Sequence, residues 1–482
     1  MKSSSSLEQG RSALVTTLFL AAATAAALYG VSSMRGGASL GLVRLEREAP
    51  TASFSPLPAG LGSSPSALKV TVEDSGSGLG DVAVSLTQNG KTFALSERAY
   101  AAGGVARDEL ELKVDPKAIG LQEGSVQLRV VARDHSMWRN SATIDREYPV
   151  DFKSPRVEPM SAQQNGTVGG VELVVFRYRG RPMVEGGVES SAGALYRSYP
   201  LSAFDSSRAF PDDLYFSLFP IPFDFSPAKD TLRLSVRDDF GNGSTAPFNY
   251  RIATKSFPDV DMGMSDEFFR RKVPELREKL KAADPAVAVT GNDVRDFKGV
   301  NEGLRKANEI TIQQALRESP VSSRLWKGPF VRPLAAAPKA SFAEGRRYVF
   351  EGSEISRSRH MGVDLADVAQ AKVVSSNKGQ VVFADDLGIY GGLVIVDHGS
   401  GVSSLYGHLS SIDVKKGDAV EQGQALGRTG TTGLAGGDHL HFEIRVQGVP
   451  VNPLAWLDAR WVEEHIEGKI GSYAAQQPTA QG

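Results

Sequence analysis

The chain has 482 residues, enough for about three domains at roughly 150 residues each. Hydrophobic residues make up 41% and charged residues 23%, which excludes a mainly disordered chain and a polytopic membrane protein. The net charge of −2 argues against nucleic acid as a partner. Cysteine is absent, so any metal site must use histidine and carboxylate ligands. Five of the seven histidines lie between His360 and His441.

The first predicted element is an uncharged run near the N-terminus. The residues between Arg11 and Arg35 carry no charge and are numerous enough to cross a hydrocarbon core of about 30 Å as a helix. We predict a cytoplasmic stub and a transmembrane signal anchor at 1–35. Two alternatives stay open: a cleaved signal peptide, for which the Ala-rich part offers small-residue cleavage sites, and a buried soluble helix.

A strand-rich pattern follows a linker. Residues 36–66 are rich in Gly, Ser and Pro and are predicted to form that linker. From residue 66 apolar and polar residues alternate, which predicts an Ig-like β-sandwich module over 66–150. The run Leu128–Asp134 has a counterpart in Leu232–Asp238, which predicts a second Ig-like module over 151–256. The alternative is that both runs are strands of one large β domain.

Residues 257–324 change in character and are predicted to be a helical connector. Ser265 precedes Asp266 and Glu267 as at a helix start, and Phe269, Val273, Leu276 and Leu280 are spaced to share one face. Pro274 lies inside this run and is expected to kink or split the helix. A second role, covering an active-site groove until released, stays open.

Three short motifs contain most of the histidines. In His360-Met-Gly-Val-Asp364 the His and the Asp point the same way on a strand, because their separation is even, and they also do so on a helix. The second motif is Tyr406-Gly-His408. The third, His439-Leu-His441-Phe-Glu443, places both histidines on one face of a strand. Each motif alone is unspecific, whereas the three together in a chain with seven histidines indicate a metal site.

The order and the residues of these motifs resemble those of the lysostaphin/LytM-type zinc metallopeptidases, a family of peptidoglycan endopeptidases. The resemblance covers about 325–458 and extends to further segments, which are Gly345–Arg347, Gly379–Val382, Val394–Gly399, Gly417–Val420, Gly427–Gly433 and Val451–Pro453. It implies a metallopeptidase domain at 325–458 with an antiparallel β-barrel-like or β-sheet fold. A C-terminal tail would follow at 459–482, and the fold class expected for the whole chain is mainly β.

The resemblance also implies roles for single residues. His360, Asp364 and His441 would bind one Zn²⁺ in the domain and leave a fourth position for water. His408 and His439 would be catalytic, as general base and as stabilisers of the tetrahedral oxyanion. Tyr406 is expected to help line the site, and Glu443 to support His441 as a hydrogen-bond partner. His398 and His465 are expected to lie outside the chemistry.

The function implied is a membrane-anchored zinc endopeptidase that cuts peptide cross-links or stem peptides of peptidoglycan. Because that substrate lies outside the inner membrane, the expected location is a single-pass protein of that membrane with its bulk in the periplasm or wall space. The β modules would act as spacers or as docking sites for envelope partners.

Two other functions would also fit parts of this sequence. A regulator would use the same domain to recruit or activate another hydrolase; degenerate family members of this kind lose ligands, and this sequence has lost none. A biotinyl/lipoyl-like carrier would share the glycine-rich β pattern, but it would leave the histidines unexplained. Which peptidoglycan bond is cut stays open, because pocket shape decides among chemically similar amides.

Overall fold

The computed structural model describes residues 47–54, 59–101 and 105–474. The anchor predicted at 1–35 lies outside these residues, and none of the helices within them is long and apolar enough to cross a membrane. Strands account for 44% of the structure and helices for 16%, so the prediction of a mainly β fold is confirmed. The chain forms two compact units. The first contains the described residues up to Ser154 together with Asp238–Asn242, and the second contains the others.

The first unit consists of two antiparallel sheets around one core. Its strands are β1 (Thr51–Phe54), β2 (Ser66–Glu73), β3 (Leu79–Gln88), β4 (Lys91–Ala99), β5 (Arg107–Val114), β6 (Gly124–Asp134) and β7 (Ser141–Val150). The sheet orders are β1-β2-β5 and β4-β3-β6-β7. Alternate apolar residues such as Val70, Val84 and Val130 are buried in a shared core, as the period of 2 requires. The Ig-like topology stays a prediction.

The second unit begins with a further group of strands. They are β8 (Arg156–Pro159), β9 (Gln164–Thr167), β10 (Val171–Arg179), β11 (Met183–Ser190), β12 (Leu195–Arg197), β13 (Tyr199–Pro200), β14 (Leu214–Pro220), β15 (Leu232–Asp238), β16 (Gly243–Ala246), β17 (Tyr250–Ala253) and β18 (Asp259–Gly263). Two four-stranded sheets have the orders β13-β14-β10-β8 and β12-β11-β15-β16, and β17 pairs with β9 in parallel.

The predicted helical segment contains the helices α1 (Asp266–Ala283), α2 (Asp293–Lys298) and α3 (Arg305–Arg317), with a π-helical turn at Gly299–Leu304. The Ser265 side chain caps α1 by accepting a hydrogen bond from the Phe268 N–H. The helix continues past Pro274 to Ala283, so of the two expected effects of the proline the split does not occur. The buried side chains of Phe269, Val273, Leu276 and Leu280 hold the helix together on both sides of the proline.

The remaining strands are β19 (Pro338–Ala340), β20 (Gly345–Phe350), β21 (Ser353–Arg359), β22 (Val363–Leu365), β23 (Lys372–Val374), β24 (Gly379–Asp386), β25 (Gly392–Gly399), β26 (Val402–Leu409), β27 (Ser411–Ile412), β28 (Ala419–Val420), β29 (Ala425–Arg428), β30 (Leu440–Val446) and β31 (Val449–Val451). The main sheet has the order β19-β22-β30-β26-β25-β24-β28. Its end strands β19 and β28 do not pair with each other, so the sheet is open and the barrel-like form of the prediction is wrong.

The chain continues into short helices at α4 (Pro453–Trp456), α5 (Ala459–Val462) and α6 (Gly468–Gly471), with a π-helical turn at Glu463–Glu467. Val462, Ile466 and Ile470 are buried in the same core as residues of β10, β14 and the main sheet. The described part of the segment expected as a tail from 459 is therefore packed structure as far as Tyr473.

Candidate metal centre

The candidate site is formed where three neighbouring strands bring the motifs together. Asp364 on β22 stands directly opposite His441 on β30, and His441 stands opposite Gly407 on β26. His360 lies three residues before β22, and His408 follows Gly407. Gly362 permits this arrangement, because a Cβ at that position would lie 2.3 Å from the Phe442 carbonyl oxygen of β30.

Three of these side chains converge on a common point. The His360 Nε2 lies 2.9 Å from the Asp364 Oδ1 and 3.0 Å from the His441 Nδ1, and the Asp364 Oδ1 lies 3.0 Å from the His441 Nδ1. All three residues are buried. They form a group that can hold a metal ion.

The hydrogen bonds on the outer side of each imidazole determine which nitrogen faces this point. The His360 Nδ1 donates to the Ser341 carbonyl oxygen at 2.8 Å, and a carbonyl can only accept. The His441 Nε2 lies 2.9 Å from the Glu443 Oε1 and donates to that carboxylate. When both rings are neutral, their inner nitrogens therefore present lone pairs, together with a carboxylate oxygen.

This donor set fits zinc. Lone pairs that face one another at about 3 Å repel unless a cation or a proton lies between them. Three ligands at about 2.0–2.1 Å from a tetrahedral zinc ion would be about 3.3 Å apart, close to the separations found here. Two histidines and one carboxylate leave a fourth position for water, as catalytic zinc sites do.

The second carboxylate oxygen of Asp364 is hydrogen-bonded to an arginine. Its Oδ2 accepts a hydrogen bond from the Arg346 guanidinium at 2.8 Å, so one oxygen remains for the site. Burial alone would raise the pKa of Asp364, but hydrogen bonds from His360 and His441 hold it well below its usual value. Burial lowers the pKa of His360 despite its bond to Asp364. The carboxylate is therefore ionised at neutral pH, as a metal ligand must be.

Two further histidines border the group. The His408 Nδ1 donates to the Thr432 carbonyl oxygen at 2.9 Å, and the His439 Nδ1 donates to the Gly437 carbonyl oxygen at 2.8 Å. Their ring centroids are 4.7 Å apart, and the His439 Nε2 lies 3.6 Å from the Asp364 Oδ1. Burial, together with the nearby His439 and His441, holds the pKa of His408 well below its usual value. In each of these two rings the hydrogen bond to a backbone carbonyl uses Nδ1, so Nε2 takes no part in that bond.

His408 also has an unusual backbone. Its φ of 64° lies in the left-handed region, which residues other than glycine rarely adopt. Such conformations cost free energy and concentrate at functional positions, where the surrounding fold holds them in place. The bond from the His408 ring to Thr432 and the pairing of β26 with β30 provide that support.

A buried charged network lies behind His441. The Glu443 carboxylate accepts hydrogen bonds from His441, from the Tyr390 hydroxyl at 3.0 Å and from the Arg445 Nε at 2.7 Å. Burial alone would raise the pKa of Glu443, but the charge of Arg445 and the bond from His441 lower it to about 2. Burial alone would lower the pKa of His441, but its bonds to Asp364 and Glu443 raise it to about 9. A metal ion at this point would therefore displace a proton from His441.

The structure does not bring Tyr406 to this cluster. Tyr406 pairs in register with Phe442, on the opposite face of the sheet from His441, and is fully buried. Its hydroxyl accepts hydrogen bonds from the Ser376 N–H and the Ser404 hydroxyl, both at 2.8 Å. The residue is part of the core because odd and even positions of a strand point to opposite faces.

The two histidines expected outside the chemistry lie elsewhere. His398 is fully buried, with hydrogen bonds to the Lys378 carbonyl oxygen and the Ser404 hydroxyl. His465 bonds to Glu172.

Three neighbours of the site were missed by sequence reasoning. Arg346 lies in a segment that resembles the family, but no spacing rule connects it to Asp364, which it bonds. Arg445 continues the alternation of His441 and Glu443, so the same strand pattern extended by two residues would have found it. Tyr390 lies in a 3₁₀ turn after β24, and no local pattern connects it to Glu443.

Two histidines and one aspartate that converge on an open sheet, with further histidines beside them, form the ligand arrangement found in metallohydrolases with a three-ligand zinc site. Residues 358–453 match peptidase family M23, and this part of the chain is a peptidase M23 domain. The resemblance to lysostaphin/LytM-type peptidases is thereby confirmed.

Similar proteins include both enzymes and activators. The DD-carboxypeptidase/endopeptidase Mpg of Neisseria meningitidis is 40% identical over 121 residues, which are 25% of this chain and 27% of that protein. The murein hydrolase activator EnvC of Escherichia coli is 40% identical over 101 residues, 21% of this chain and 24% of that protein. A putative peptidase M23 from Pseudomonas aeruginosa aligns over 61% of this chain and 95% of that chain, with a TM-score of 0.37 and 22% identity.

The chain thus spans about a quarter of the length of these curated relatives. The match identifies a domain.

Proposed function

We propose that the protein is a zinc metalloendopeptidase that hydrolyses peptide bonds of peptidoglycan cross-links or stem peptides during cell-wall remodelling. The observation that carries this proposal is the convergence of the His360 Nε2, the Asp364 Oδ1 and the His441 Nδ1 within 3.0 Å of one another. The relatives support the substrate class, since one of them is named a DD-carboxypeptidase/endopeptidase.

His360, Asp364 and His441 would hold the ion. When bound, zinc lowers the pKa of a water molecule and polarises the scissile carbonyl group. The protein supplies the orientation: Ser341 and Glu443 fix the two imidazole tautomers, and Arg346 restricts Asp364 to one free oxygen.

His408 and His439 would supply the proton transfer and the oxyanion stabilisation. Because each ring donates its Nδ1–H to a backbone carbonyl, each has its Nε2 available for a proton or a substrate oxygen. The neutral His408 is suited to accept a proton from the attacking water. His439, which is more exposed, is suited to donate a hydrogen bond to the developing oxyanion when protonated.

We also propose the location. An anchor at 1–35 would keep the protein in the inner membrane by a single span, with the rest in the periplasm or wall space. The β modules would then carry the catalytic domain towards peptidoglycan or bind envelope partners.

The test is hydrolysis of purified peptidoglycan by the full-length protein in detergent. Wild type is expected to solubilise the peptidoglycan by cutting its peptide bonds, to lose this activity with a zinc chelator and to regain it with zinc. His441→Ala is expected to be inactive, while His135→Ala in the first unit, far from the metal ligands in sequence, serves as the matched control. Hydrolysis that survives both the chelator and His441→Ala would exclude the zinc mechanism. Mass spectrometry of the muropeptides obtained when a muramidase then digests the product identifies the bond.

A second candidate is a regulator that recruits or activates another cell-wall hydrolase, because EnvC is named a murein hydrolase activator. A protein that releases nothing alone but accelerates a purified amidase would establish this function. The complete ligand set favours catalysis.

A further inference from the structure

We propose that Glu309 on helix α3 is a positioning residue of the metal centre, which acts through Arg445 and Glu443 on His441. This inference rests on the zinc site of the proposed function. Glu309 lies outside the matched residues 358–453, in the segment predicted to be a connector. The helical segment would then complete the metal site.

A continuous series of charged contacts connects the helix to the candidate ligand. The Glu309 Oε1 accepts a hydrogen bond from an Arg445 terminal nitrogen at 2.6 Å. The Arg445 Nε donates to the Glu443 Oε2 at 2.7 Å, and the Glu443 Oε1 accepts from the His441 Nε2 at 2.9 Å. The side chains of Arg445 and Glu443 are fully buried, whereas that of Glu309 is 41% exposed.

The charges of Glu443, Arg445 and Glu309 explain why Glu309 matters. Glu443 and Arg445 alone would form a neutral pair, and the guanidinium would compete with His441 for the carboxylate. Glu309 shares the guanidinium and leaves one net negative charge behind the imidazole. An anionic partner makes a metal-bound histidine a better donor and holds its ring in place.

Glu309 is also the side chain that orients Arg445 on the helix side. The remaining terminal nitrogen of Arg445, Nη2, is buried and has no hydrogen-bond partner among the described residues. Without the Glu309 carboxylate, Nη1 would keep only a long bond of 3.4 Å to the Gly448 carbonyl oxygen, and the guanidinium could turn towards Glu443. A buried donor without a hydrogen-bond partner is costly. We therefore expect the Arg445 guanidinium to donate to the Glu443 oxygen that now accepts from His441.

Two neighbouring side chains of α3 hold this geometry. The Gln313 amide donates to the Glu309 Oε1 at 2.7 Å and to the Gly448 carbonyl oxygen at 2.8 Å, which ties Glu309 to the turn after β30. The Asn308 Oδ1 accepts from the Ile389 N–H at 2.9 Å, beside Tyr390, whose hydroxyl bonds Glu443. The helix thus supports Glu443 from two directions.

The test compares zinc affinity in the full-length protein by competition with a chromophoric chelator. Glu309→Gln is expected to weaken zinc binding about threefold to tenfold, less than the 10–100-fold typical of a residue that touches a ligand directly. Glu318→Gln is the matched control: Glu318 is exposed, lies at the C-terminal end of α3, and also accepts from a nearby glutamine of that helix. It is expected to leave the affinity unchanged.

Two more measurements separate positioning from folding. The visible spectrum of the cobalt-substituted protein should change in Glu309→Gln and stay unchanged in Glu318→Gln. In a Glu443→Gln background, Glu309→Gln should have no further effect on zinc affinity, because the series of contacts is already broken. Thermal denaturation of the metal-free variants shows whether each one is folded.

Equal zinc affinity in wild type and Glu309→Gln, with equal cobalt spectra, would overturn the proposal, and so would an undiminished effect in the Glu443→Gln background. A wild-type protein that takes up no zinc would overturn it together with the zinc site. Hydrolysis is not a readout here, so a protein that binds zinc without cutting peptidoglycan refutes the proposed reaction and leaves this test valid.

Discussion

Gly362 determines how closely the strand that carries Asp364 approaches the strand that carries His441. A Cβ at this position would lie 2.3 Å from the Phe442 carbonyl oxygen, 2.9 Å from the Glu443 Cγ and 3.0 Å from the His441 Cε1. The first of these atoms is backbone and cannot turn aside, so a side chain here must push β22 away from β30. The glycine of the first motif is therefore needed for a close approach between strands.

We expect Gly362→Ala to lower the free energy of unfolding by about 1–3 kcal/mol, the usual cost of overpacking. Zinc affinity should also fall about tenfold, because the ligands separate. Gly436→Ala is the control, since a Cβ there has nothing within 4 Å. Chemical denaturation and chelator competition measure the two effects. Unchanged zinc affinity in Gly362→Ala would mean that the strands do not need this contact.

We expect His398 to make the stability of the second unit depend on pH. Burial lowers its pKa to about 4, from an ordinary value near 6.5. Between these values the unfolded chain binds a proton that the folded protein excludes, so stability is lost as the pH falls. The loss approaches about 3 kcal/mol at pH 4.

His398→Gln cannot titrate and should therefore lose about 3 kcal/mol less than wild type between pH 7 and pH 4. At pH 7 the variant should be less stable, by about 1–2 kcal/mol, because it keeps fewer of the bonds to Lys378 and Ser404. Denaturation followed by the fluorescence of the buried Trp326 and Trp456 measures both values. Equal losses in the two proteins would show that another group is responsible.

Much of the candidate site could be predicted from residue spacing, because an even separation on a strand places side chains on one face. His439, His441 and Glu443 follow this rule, and so does Arg445 two positions further on. Tyr406 fails it: the pairing of β26 with β30 places it opposite Phe442 on the core face. That register is a tertiary property that spacing within one motif cannot determine. The positions of Tyr390 beside Glu443 and of Glu309 beside Arg445 depend on contacts between elements that are distant in sequence.

At the scale of elements, periodicity predicted whether a segment is a helix or a strand better than it predicted where the element ends or which elements pack together. The helix start at Ser265 and the apolar face of α1 could be predicted because capping and spacing are local. The continuation past Pro274 could not, since it depends on packing against residues such as Tyr348 and Ile395 far along the chain. The open edge of the main sheet likewise depends on which strands pair.

The helical segment shares its core with Leu393, Ile395 and Leu405 of the main sheet, so we expect it to unfold together with that sheet. Phe269 of α1 is almost fully buried, and its ring lies 5.2 Å from that of Phe350 on β20 and 5.4 Å from that of Phe297 on α2. Phe269→Ala should cost about 3–5 kcal/mol. Arg270→Ala on the exposed face should cost less than about 0.5 kcal/mol. If Phe269→Ala left the tryptophan transition of the second unit unchanged, the segment would be an independent connector.

At the scale of the whole molecule, hydrogen bonds connect the first strands of the second unit to its C-terminal helices. Glu172 on β10 is buried, and its carboxylate accepts hydrogen bonds from the Lys469 ammonium at 2.6 Å and from the His465 Nδ1 at 2.9 Å. Lys469 also donates to the buried Gln164 at 2.7 Å. A buried carboxylate depends on such partners, because desolvation without them is costly. The C-terminal helices are therefore held against β9 and β10 as part of the second unit.

We expect Lys469→Met to lower the free energy of unfolding of the second unit by about 2–4 kcal/mol, because it leaves the Glu172 charge buried with one partner. The double variant Lys469→Met with Glu172→Gln should regain part of that loss, since it removes the uncompensated charge. Lys378→Met is the control: its partner Glu421 is exposed, and such pairs contribute at most about 1 kcal/mol. Chemical denaturation measures all four proteins. If Lys469→Met and Lys378→Met were equally stable, the contact with Glu172 would not hold the C-terminal helices in place.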